Sequence, residues 1–348
     1  MLATETSAVA CSMPEALFAP SSWKQIVEPV EPFLQGVADR LAEQIHAFDS
    51  EIGLYAEYAL TSQGKQLRPA LVALSGAATG QINDDHTKVA VIVEMVHLAT
   101  LVHDDVVDEA QLRRARPTLA ANWGNEISVL VGDCLFAHAL KLAASFPTPD
   151  ICRAVAAATN TVCSGEILQT QRRRDFQFCR REYFKALEMK TGELFALSCE
   201  LGGLLSGATT IQQTALRKYG LALGTAYQIY DDCLDLFGSE SATGKSLGTD
   251  LAKGKLTLPI LLVLELAPAP ERTKLENLLR EWRPHCLDQM LALLDQHGAL
   301  GRSRDFIHEY LFKARQSLTP LPDSENRFGL SALTEYLAQQ TDALGDGA

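Results

Sequence analysis

Two aspartate clusters in this chain share one spacing and one chemistry. The six carboxylates are Asp104, Asp105 and Asp108 in "HDDVVD", and Asp231, Asp232 and Asp235 in "YDDCLD". In a helix, positions i and i+4 share a face, so the first and last aspartate of each cluster would project together. Carboxylate oxygens suit Mg²⁺, which retains waters and takes further oxygens from a substrate's phosphates. The spacing predicts two clusters that hold a small group of Mg²⁺ ions around one diphosphate.

A solvated acidic helix face is the alternative explanation for either cluster. Like charges at i and i+4 cost only about 0.2–0.5 kcal/mol per pair when exposed, so energy alone does not exclude it. Two chance matches to a three-aspartate pattern are unexpected in a chain of 348 residues, and both matches lie in apolar, helical surroundings. Their recurrence favours metal binding.

Basic residues stand close to both clusters. Arg113 and Arg114 follow the first cluster, and Lys245, Lys253 and Lys255 follow the second. Magnesium together with Lys and Arg side chains is what a leaving diphosphate requires. The sequence therefore favours a site that binds and ionises a diphosphate ester.

A second basic group lies upstream in "SQGKQLRPAL", which contains Lys65 and Arg68. Solvated charges in a loop would explain this pair as well. Glu94 and His97 lie on the helix face that leads to the first cluster. A single histidine is usually an ordinary core residue, and His97 is a candidate only because Glu94 and the first cluster lie near it. These residues are candidates for a second diphosphate site.

Taken together, these motifs resemble the polyprenyl synthetase family, the trans-isoprenyl diphosphate synthases. The resemblance rests on "GKQLRP", "HDDVVDEAQLRRARPT", "GEILQ", "KTGELF" and "YQIYDDCLDLFG" with "TGKSLGTDLAKGKLTLP", which together run from about Gly64 to Pro259. It implies the isoprenoid synthase fold, with helices around a deep central cavity and the aspartate motifs at its mouth. It also implies head-to-tail condensation of isopentenyl diphosphate with an allylic diphosphate, and a homodimer.

The resemblance also implies a role for each matched residue. Mg²⁺ ions, three per site with substrate bound, would be held by Asp104, Asp105, Asp108, Asp231, Asp232 and Asp235. The allylic diphosphate would contact Arg113, Lys190, Thr191, Gln228, Lys245 and Lys255. Isopentenyl diphosphate would be held by Lys65, Arg68, His97 and Arg114. The catalytic set would be Asp104, Asp108, Asp231, Lys190 and Thr191.

Three positions depart from the family pattern without removing a ligand. Ala115 stands where glycine is common, Tyr227 stands where phenylalanine is common, and Gln66 replaces a residue that is often basic. Glycine permits backbone angles that alanine resists, so Ala115 is expected to affect the loop after the first motif.

Product length is the next question that the motif raises. Thr100 and Ala99 lie four and five positions before Asp104, one helical turn deeper, and Val96 lies another turn away. In the family that the chain resembles, large aromatic residues at the first two positions act as a floor that stops short products. Both residues are small here, so we expect a product longer than farnesyl diphosphate. Phe136 is a candidate floor, although an ordinary core aromatic residue is the better explanation of it.

The remaining sequence predicts one all-α domain. Apolar residues recur at three- and four-residue steps in nearly every long segment, and alternating strand-like patterns are nearly absent. We predict a loose segment over 1–22, the synthetase domain over 23–341 and a flexible tail over 342–348.

Composition limits the partners and the compartment. A net charge of −12 argues against nucleic-acid binding, which usually needs a basic face. No apolar run reaches the roughly 20 residues that a membrane span needs, so any membrane contact would be peripheral, for product release. Eight cysteines without a C-x-x-C pair indicate reduced thiols, no zinc site and a cytoplasmic protein.

Three other classes of protein were weighed against this interpretation. A terpene cyclase on the same fold usually carries an Asn/Ser/Glu triad as its second metal motif and does not need Lys65 and Arg68. A non-catalytic subunit of a heteromeric synthase would have lost metal ligands. A membrane-embedded prenyltransferase would require spans that are missing.

Overall fold

The structure is a computed structural model that describes residues 22–61, 64–239 and 247–345, and these are almost entirely helical. Its α-helices are α1 Trp23–Val27, α2 Glu31–Glu43, α3 Ser50–Leu60, α4 Leu67–Thr79, α5 Asp84–Val107, α6 Leu119–Ala143, α7 Asp150–Gln171, α8 Arg180–Leu187, α9 Glu193–Leu205, α10 Thr210–Phe237, α11 Thr249–Ala252, α12 Leu258–Leu266, α13 Ala269–Arg280, α14 Leu287–Gln296, α15 Ala299–Ser317 and α16 Glu325–Asp342. Short 3₁₀ turns cover Glu28–Val30, Gln44–Ala47 and Pro284–Cys286, and a π-helical turn covers Glu188–Gly192. The predicted all-α class is confirmed.

One antiparallel hairpin interrupts the helices of the described part. Strand β1, Leu112–Arg113, pairs with strand β2, Arg116–Pro117. It lies directly after the first aspartate motif and contains the arginines of that motif.

Helix α9 lies at the centre of the fold. It packs against α4 and α10, and α5 packs against α6. Leu194, Phe195 and Leu197 are almost completely buried on successive faces of α9, as expected for a helix surrounded by other helices. The two motif helices, α5 and α10, therefore stand against a rigid core.

Capping residues fix where the two motif helices begin. Asn83 accepts a hydrogen bond from the His86 backbone at the start of α5, and Thr209 accepts one from Gln212 at the start of α10. Such caps satisfy amide groups that a helix start leaves unpaired.

The predicted division of the chain remains a prediction, since residues 1–21 and 346–348 lie outside the described ranges. Ser22 caps α1, α16 runs through Asp342, and Leu344 is buried. Thus part of the predicted tail packs on the domain. No helix in the described part of the chain is both long enough and apolar enough to cross a bilayer.

Candidate active site

A cavity of about 720 Å³ opens where α4, α5, α7, α10 and the π-helical turn meet. Most of the candidate residues line it, and the lining includes Lys65, Arg68, His97, Thr100, Asp104, Arg113, Arg114, Phe136, Lys190, Thr191, Gln228 and Asp231. Lys245 lies outside the described residues. The fold therefore brings residues that are up to 166 positions apart into one site, from Lys65 to Asp231.

The first motif sits at the end of α5. The helix ends at Val107, and the Asp108 amide still donates to the Asp104 carbonyl at 2.8 Å, so Asp104 and Asp108 keep nearly helical spacing. Asp105 points elsewhere. It is buried and accepts three hydrogen bonds from the Arg113 guanidinium at 2.7–3.1 Å. Asp105 and Arg113 thus fix the hairpin against α5, although Arg113 also lines the cavity.

Asp108 is surrounded by three cations. Arg173 Nη2 lies 2.7 Å from one carboxylate oxygen, and Lys255 Nζ and Lys253 Nζ lie 2.9 Å and 3.2 Å from the other. Burial opposes ionisation, but the two lysines outweigh it and lower the pKa of Asp108 to about 2. Asp108 is therefore a carboxylate at any physiological pH.

Asp104 has the opposite electrostatic setting. Its nearest cation is Lys190, whose Nζ lies 3.9 Å away and also contacts Glu166 and, at 3.2 Å, Gln169. Burial raises the pKa of Asp104 to about 6, Lys190 counteracts the rise, and Glu166 and Asp108 add to it. Lys190 only partly offsets the negative charge of Asp104, and a bound cation would offset it further.

Only one aspartate of the second motif lines the cavity. That residue is Asp231. Asp232 is buried and accepts hydrogen bonds from the Tyr183 hydroxyl at 2.6 Å and from Gln228 Nε2 at 2.9 Å. Asp235 accepts from the Thr249 hydroxyl at 2.6 Å and from the amides of Thr249 and Asp250, so it caps α11. Asp232 and Asp235 thus bind neighbouring protein groups, and Asp231 alone of the three lines the cavity.

Burial has a marked effect on Asp232. It raises the pKa of this carboxyl to about 8, Asp250 adds to the rise, and the hydrogen bonds from Tyr183 and Gln228 counteract it. A neighbouring cation would lower that value. The buried carboxyls of Asp104 and Asp232 therefore both favour an added positive charge.

Lys190 and Thr191 lie on the π-helical turn Glu188–Gly192, a local widening of the kind that often occurs at functional sites. Thr191 Oγ1 donates to Gln228 Oε1 at 2.7 Å, which joins the turn to α10. Gly165 of α7 allows the close approach, because a Cβ there would lie 2.7 Å from the Lys190 amide nitrogen. The motif glycine therefore has a packing role that places Lys190.

The second basic group also lines the cavity. Arg68 stacks over the Phe195 ring at 5.0 Å, and Lys65 Nζ lies 3.3 Å from the Tyr336 hydroxyl. Gly64 leaves room for the Arg114 side chain, because a Cβ at Gly64 would come within 2.6 Å of the guanidinium. These three cations share one wall of the cavity.

Glu94 and His97 lie beside those cations. Burial raises the pKa of Glu94, and Arg68 and Arg114 counteract the rise. Burial, together with Arg68 and the hairpin arginines, holds the pKa of His97 well below its usual value, so its imidazole is neutral. A neutral imidazole can still donate one hydrogen bond to a phosphate oxygen.

The hairpin explains the departure at Ala115. Its two-residue loop consists of Arg114 and Ala115, with φ of 53° and 59°. A type I′ hairpin turn requires positive φ at both positions, which is why glycine is favoured there. Alanine adopts this conformation at a cost of about 1–2 kcal/mol.

Ala115→Gly should therefore stabilise the protein by about 0.5–1 kcal/mol, after the larger backbone entropy of unfolded glycine is subtracted. We expect Tm in differential scanning calorimetry to rise by about 1 °C. Ala338→Gly, in the interior of α16, is the matched control and should lower Tm, because glycine is unfavourable inside a helix. A fall in Tm for Ala115→Gly would contradict this account of the hairpin.

The chain-length candidates separate into two pairs. Thr100 and Phe136 line the cavity, whereas Ala99 and Val96 are buried in the core and are not part of its wall. Helix phase explains Ala99, which is turned about 100° from Thr100, whereas Thr100 shares the face of Asp104. The structure therefore places only two of the four predicted residues beside the cavity.

Sequence reasoning assigned no role to two charged residues of the site. Arg173 contacts Asp108, and Glu166 contacts Lys190. Glu166 could have been found, because it lies within the "GEILQ" motif. Arg173 lies in "RRR", which is typical of a solvated charge run, and only the packing of its loop brings it to Asp108.

The site was tested for its fit to a divalent metal ion. In residues 22–61, 64–239 and 247–345, no three His, Cys, Asp or Glu side chains form a ready-made metal site. The donors at Asp104, Asp108 and Asp231 are nevertheless hard oxygens, and ammonium groups stand near two of them as cationic substitutes. This set fits Mg²⁺, which takes its remaining ligands from water and phosphate.

Comparisons with known proteins agree with this geometry. The family model described as "Polyprenyl synthetase" matches residues 50–296. The chain is 33% identical over 315 residues to octaprenyl diphosphate synthase of Haemophilus influenzae, covering 90% of this chain and 95% of that protein. It is 36% identical over 291 residues to heptaprenyl diphosphate synthase component 2 of Bacillus subtilis, covering 84% and 82%.

A solved structure is similar over nearly the whole fold. Polyprenyl synthase from Caulobacter crescentus, complexed with calcium and isoprenyl diphosphate, superposes with a TM-score of 0.86 at 34% identity. The match covers 92% of this chain and 98% of that one. The architecture expected from the sequence motifs is therefore confirmed.

Proposed function

Because the chain belongs to the polyprenyl synthetase family, we propose that it condenses isopentenyl diphosphate head-to-tail with an allylic diphosphate. It is a trans-prenyltransferase that releases diphosphate and lengthens an all-trans polyprenyl diphosphate beyond farnesyl length. One observation carries this proposal. Asp104 and Asp231, one aspartate from each motif, line one cavity together with two groups of cations, as a reaction between two diphosphates requires.

The allylic diphosphate is proposed to bind between the two motifs. Lys190 and Lys255 would contact its oxygens, joined by Arg113, Lys245 and Gln228, and Thr191 would help to place the reacting carbon. Asp104, Asp108 and Asp231, supported by Asp105, Asp232 and Asp235, would hold Mg²⁺, proposed as three ions with substrate bound. Bound Mg²⁺ stabilises negative charge on the departing diphosphate.

Isopentenyl diphosphate is proposed to bind against Lys65, Arg68, His97 and Arg114. Arg68 and Arg114 carry fixed positive charge, and the neutral His97 can donate a hydrogen bond. This arrangement holds the isopentenyl double bond near the allylic carbon, and such positioning contributes much of the rate in reactions between two bound substrates. The released diphosphate is a suitable acceptor for the departing proton.

The test is a direct assay with purified protein, Mg²⁺, radiolabelled isopentenyl diphosphate and separate allylic primers. Labelled polyprenyl diphosphates longer than C15 would support the proposal, and chromatography of the dephosphorylated products gives their length. No incorporation with any primer would overturn it. Release of cyclised hydrocarbon from the allylic substrate alone would indicate a terpene cyclase instead.

The pKa of Asp104 predicts how metal activation depends on pH. Its value of about 6 means that protons compete with Mg²⁺ for this carboxylate as the pH falls below 6. The Mg²⁺ concentration for half-maximal activity should therefore rise about tenfold between pH 7 and pH 5. Steady-state assays over a Mg²⁺ series at each pH measure this.

Glu166→Gln is the matched variant for that experiment. Glu166 helps to raise the pKa of Asp104, so its loss should move the pH dependence of metal activation to lower pH. Because substrate ionisation is the same for both proteins, a difference between their pH profiles reports the contribution of the site to metal activation. Identical pH profiles would show that Asp104 does not control the metal requirement.

We further propose a cytoplasmic homodimer, with only peripheral membrane contact during product release. Seven cysteines of the described residues are free, which is typical of a reducing compartment. Val129 and Leu130, neighbours on α6, are 41% and 59% exposed, an apolar surface suited to a second copy. Light scattering of wild type and Leu130→Glu tests the dimer, since a dimer in both would exclude this surface.

A further inference from the structure

We propose that Arg173 is a diphosphate-binding residue that occupies Asp108 when substrate and metal are absent. This inference rests on the proposed function and adds a residue that none of the motifs contains. It starts from the contact of 2.7 Å between Arg173 Nη2 and Asp108 Oδ1.

Three cations contact the carboxylate of Asp108. They are Arg173, Lys253 and Lys255, and Lys255 Nζ also lies 3.5 Å from Asp250. Three cations thus face two carboxylates. A metal ion on Asp108 would increase the excess, and a polyanion such as diphosphate would balance it.

Arg173 also has hydrogen-bonding capacity that the protein does not use. Its Nε is buried and has no hydrogen-bond partner among the described residues. Buried donors are normally satisfied, so an unpaired one on a side chain that contacts Asp108 indicates a missing acceptor. A guanidinium presents Nε and Nη2 in a fork that matches two phosphate oxygens.

The loop around Arg173 is built to hold it there. Arg172 pairs with Asp175 at 2.8 Å and with Glu182 at 2.6 Å, which anchors the loop to α8. The Arg174 amide donates to the Gly254 carbonyl at 2.8 Å, which joins the loop to the segment containing Lys253 and Lys255. The loop contacts use the residues on either side of Arg173, so its side chain remains available to the site.

These observations give Arg173 two successive partners. In the substrate-free protein it pairs with Asp108 alongside Lys253 and Lys255. When a metal ion and a diphosphate bind, Asp108 is taken by the metal, and Arg173 pairs with diphosphate oxygens. The same side chain should therefore compete with metal alone and strengthen binding of metal with diphosphate.

The test compares Arg173→Gln, Arg173→Lys and the neighbour control Arg174→Gln by isothermal titration calorimetry. The probes are Mg²⁺ alone and inorganic diphosphate in the presence of Mg²⁺. We expect Arg173→Gln to weaken diphosphate binding about tenfold or more while Mg²⁺ alone binds as well or better. Arg173→Lys should recover part of the loss, and Arg174→Gln should stay within about twofold of wild type.

Kinetics provide a second readout. Arg173→Gln should raise KM for the allylic substrate and leave KM for isopentenyl diphosphate nearly unchanged, since the latter is proposed to bind at Arg68 and Arg114. Diphosphate binding equal to wild type, or equal losses in Arg173→Gln and Arg174→Gln, would overturn the role of Arg173. Failure of the wild type to incorporate isopentenyl diphosphate would instead overturn the proposed function, so the two failures are distinguishable.

Discussion

Asp104→Asn should reduce kcat of the condensation by about 10²–10³-fold, the effect of removing one group that stabilises transition-state charge. Asparagine keeps the size of the side chain and removes the negative charge that faces the cavity. Asp104 is the carboxylate of the first motif that lacks a close cation, with Lys190 Nζ at 3.9 Å. Loss of this charge should therefore weaken metal binding more than it disturbs the ion pairs around Asp104.

Stability should move in the other direction from activity. The folded-state pKa of Asp104 is raised to about 6, so the ionised carboxylate is disfavoured in the fold, and this cost is complete above pH 6. With chelator at pH 8, Asp104→Asn should melt at a temperature at least as high as wild type. Lys190 keeps Glu166 as a partner in this variant, so no buried cation is left unpaired.

Two comparisons decide whether Asp104 has this role. Asp39→Asn, an exposed aspartate on α2, should leave both kcat and Tm near wild type. Raising Mg²⁺ tenfold should recover only part of the activity of Asp104→Asn. Full activity in that variant at ordinary Mg²⁺ would refute the assignment of Asp104 as a metal ligand.

The sequence predicted the helices and the shared site because both depend on local periodicity and residue type. Asp104 and Asp231, the first aspartate of each motif, line the cavity, whereas Asp108 and Asp235, which the spacing predicts beside them, do not. The different partners of Asp105, Asp232 and Asp235 could not be predicted, because they depend on which side chains other helices bring near. Asp232, for example, is bonded by Tyr183 from α8, 49 positions earlier in the chain.

The same limit applies to the charges at Asp108. A motif shows that Lys255 follows the second cluster, and the structure shows that Lys255 contacts an aspartate of the first cluster, 147 positions earlier. Arg173 reaches that aspartate from a third element. Tertiary packing therefore decides which cations lie near each carboxylate, and these cations set the electrostatic environment of that carboxylate.

Thr100→Phe should shorten the product. Thr100 lies one turn below Asp104 on the same face of α5, and its side chain lines the cavity that the growing chain is proposed to enter. A phenyl ring there would fill space needed by later isoprene units, so the main product should lose at least one five-carbon unit. Product chromatography at equal turnover measures the change, and an unchanged product distribution would exclude Thr100 from the wall of the path.

Ala99→Phe is the informative comparison, because its position differs from Thr100 by one residue. Ala99 is completely buried and does not line the cavity, so a ring there would overpack the core at a cost of about 1–3 kcal/mol. We expect Ala99→Phe to lower Tm more than Thr100→Phe while shortening the product less. If Ala99→Phe instead gave the shorter product with an unchanged Tm, the path would run beside Ala99, and α5 would present a different face to the substrate.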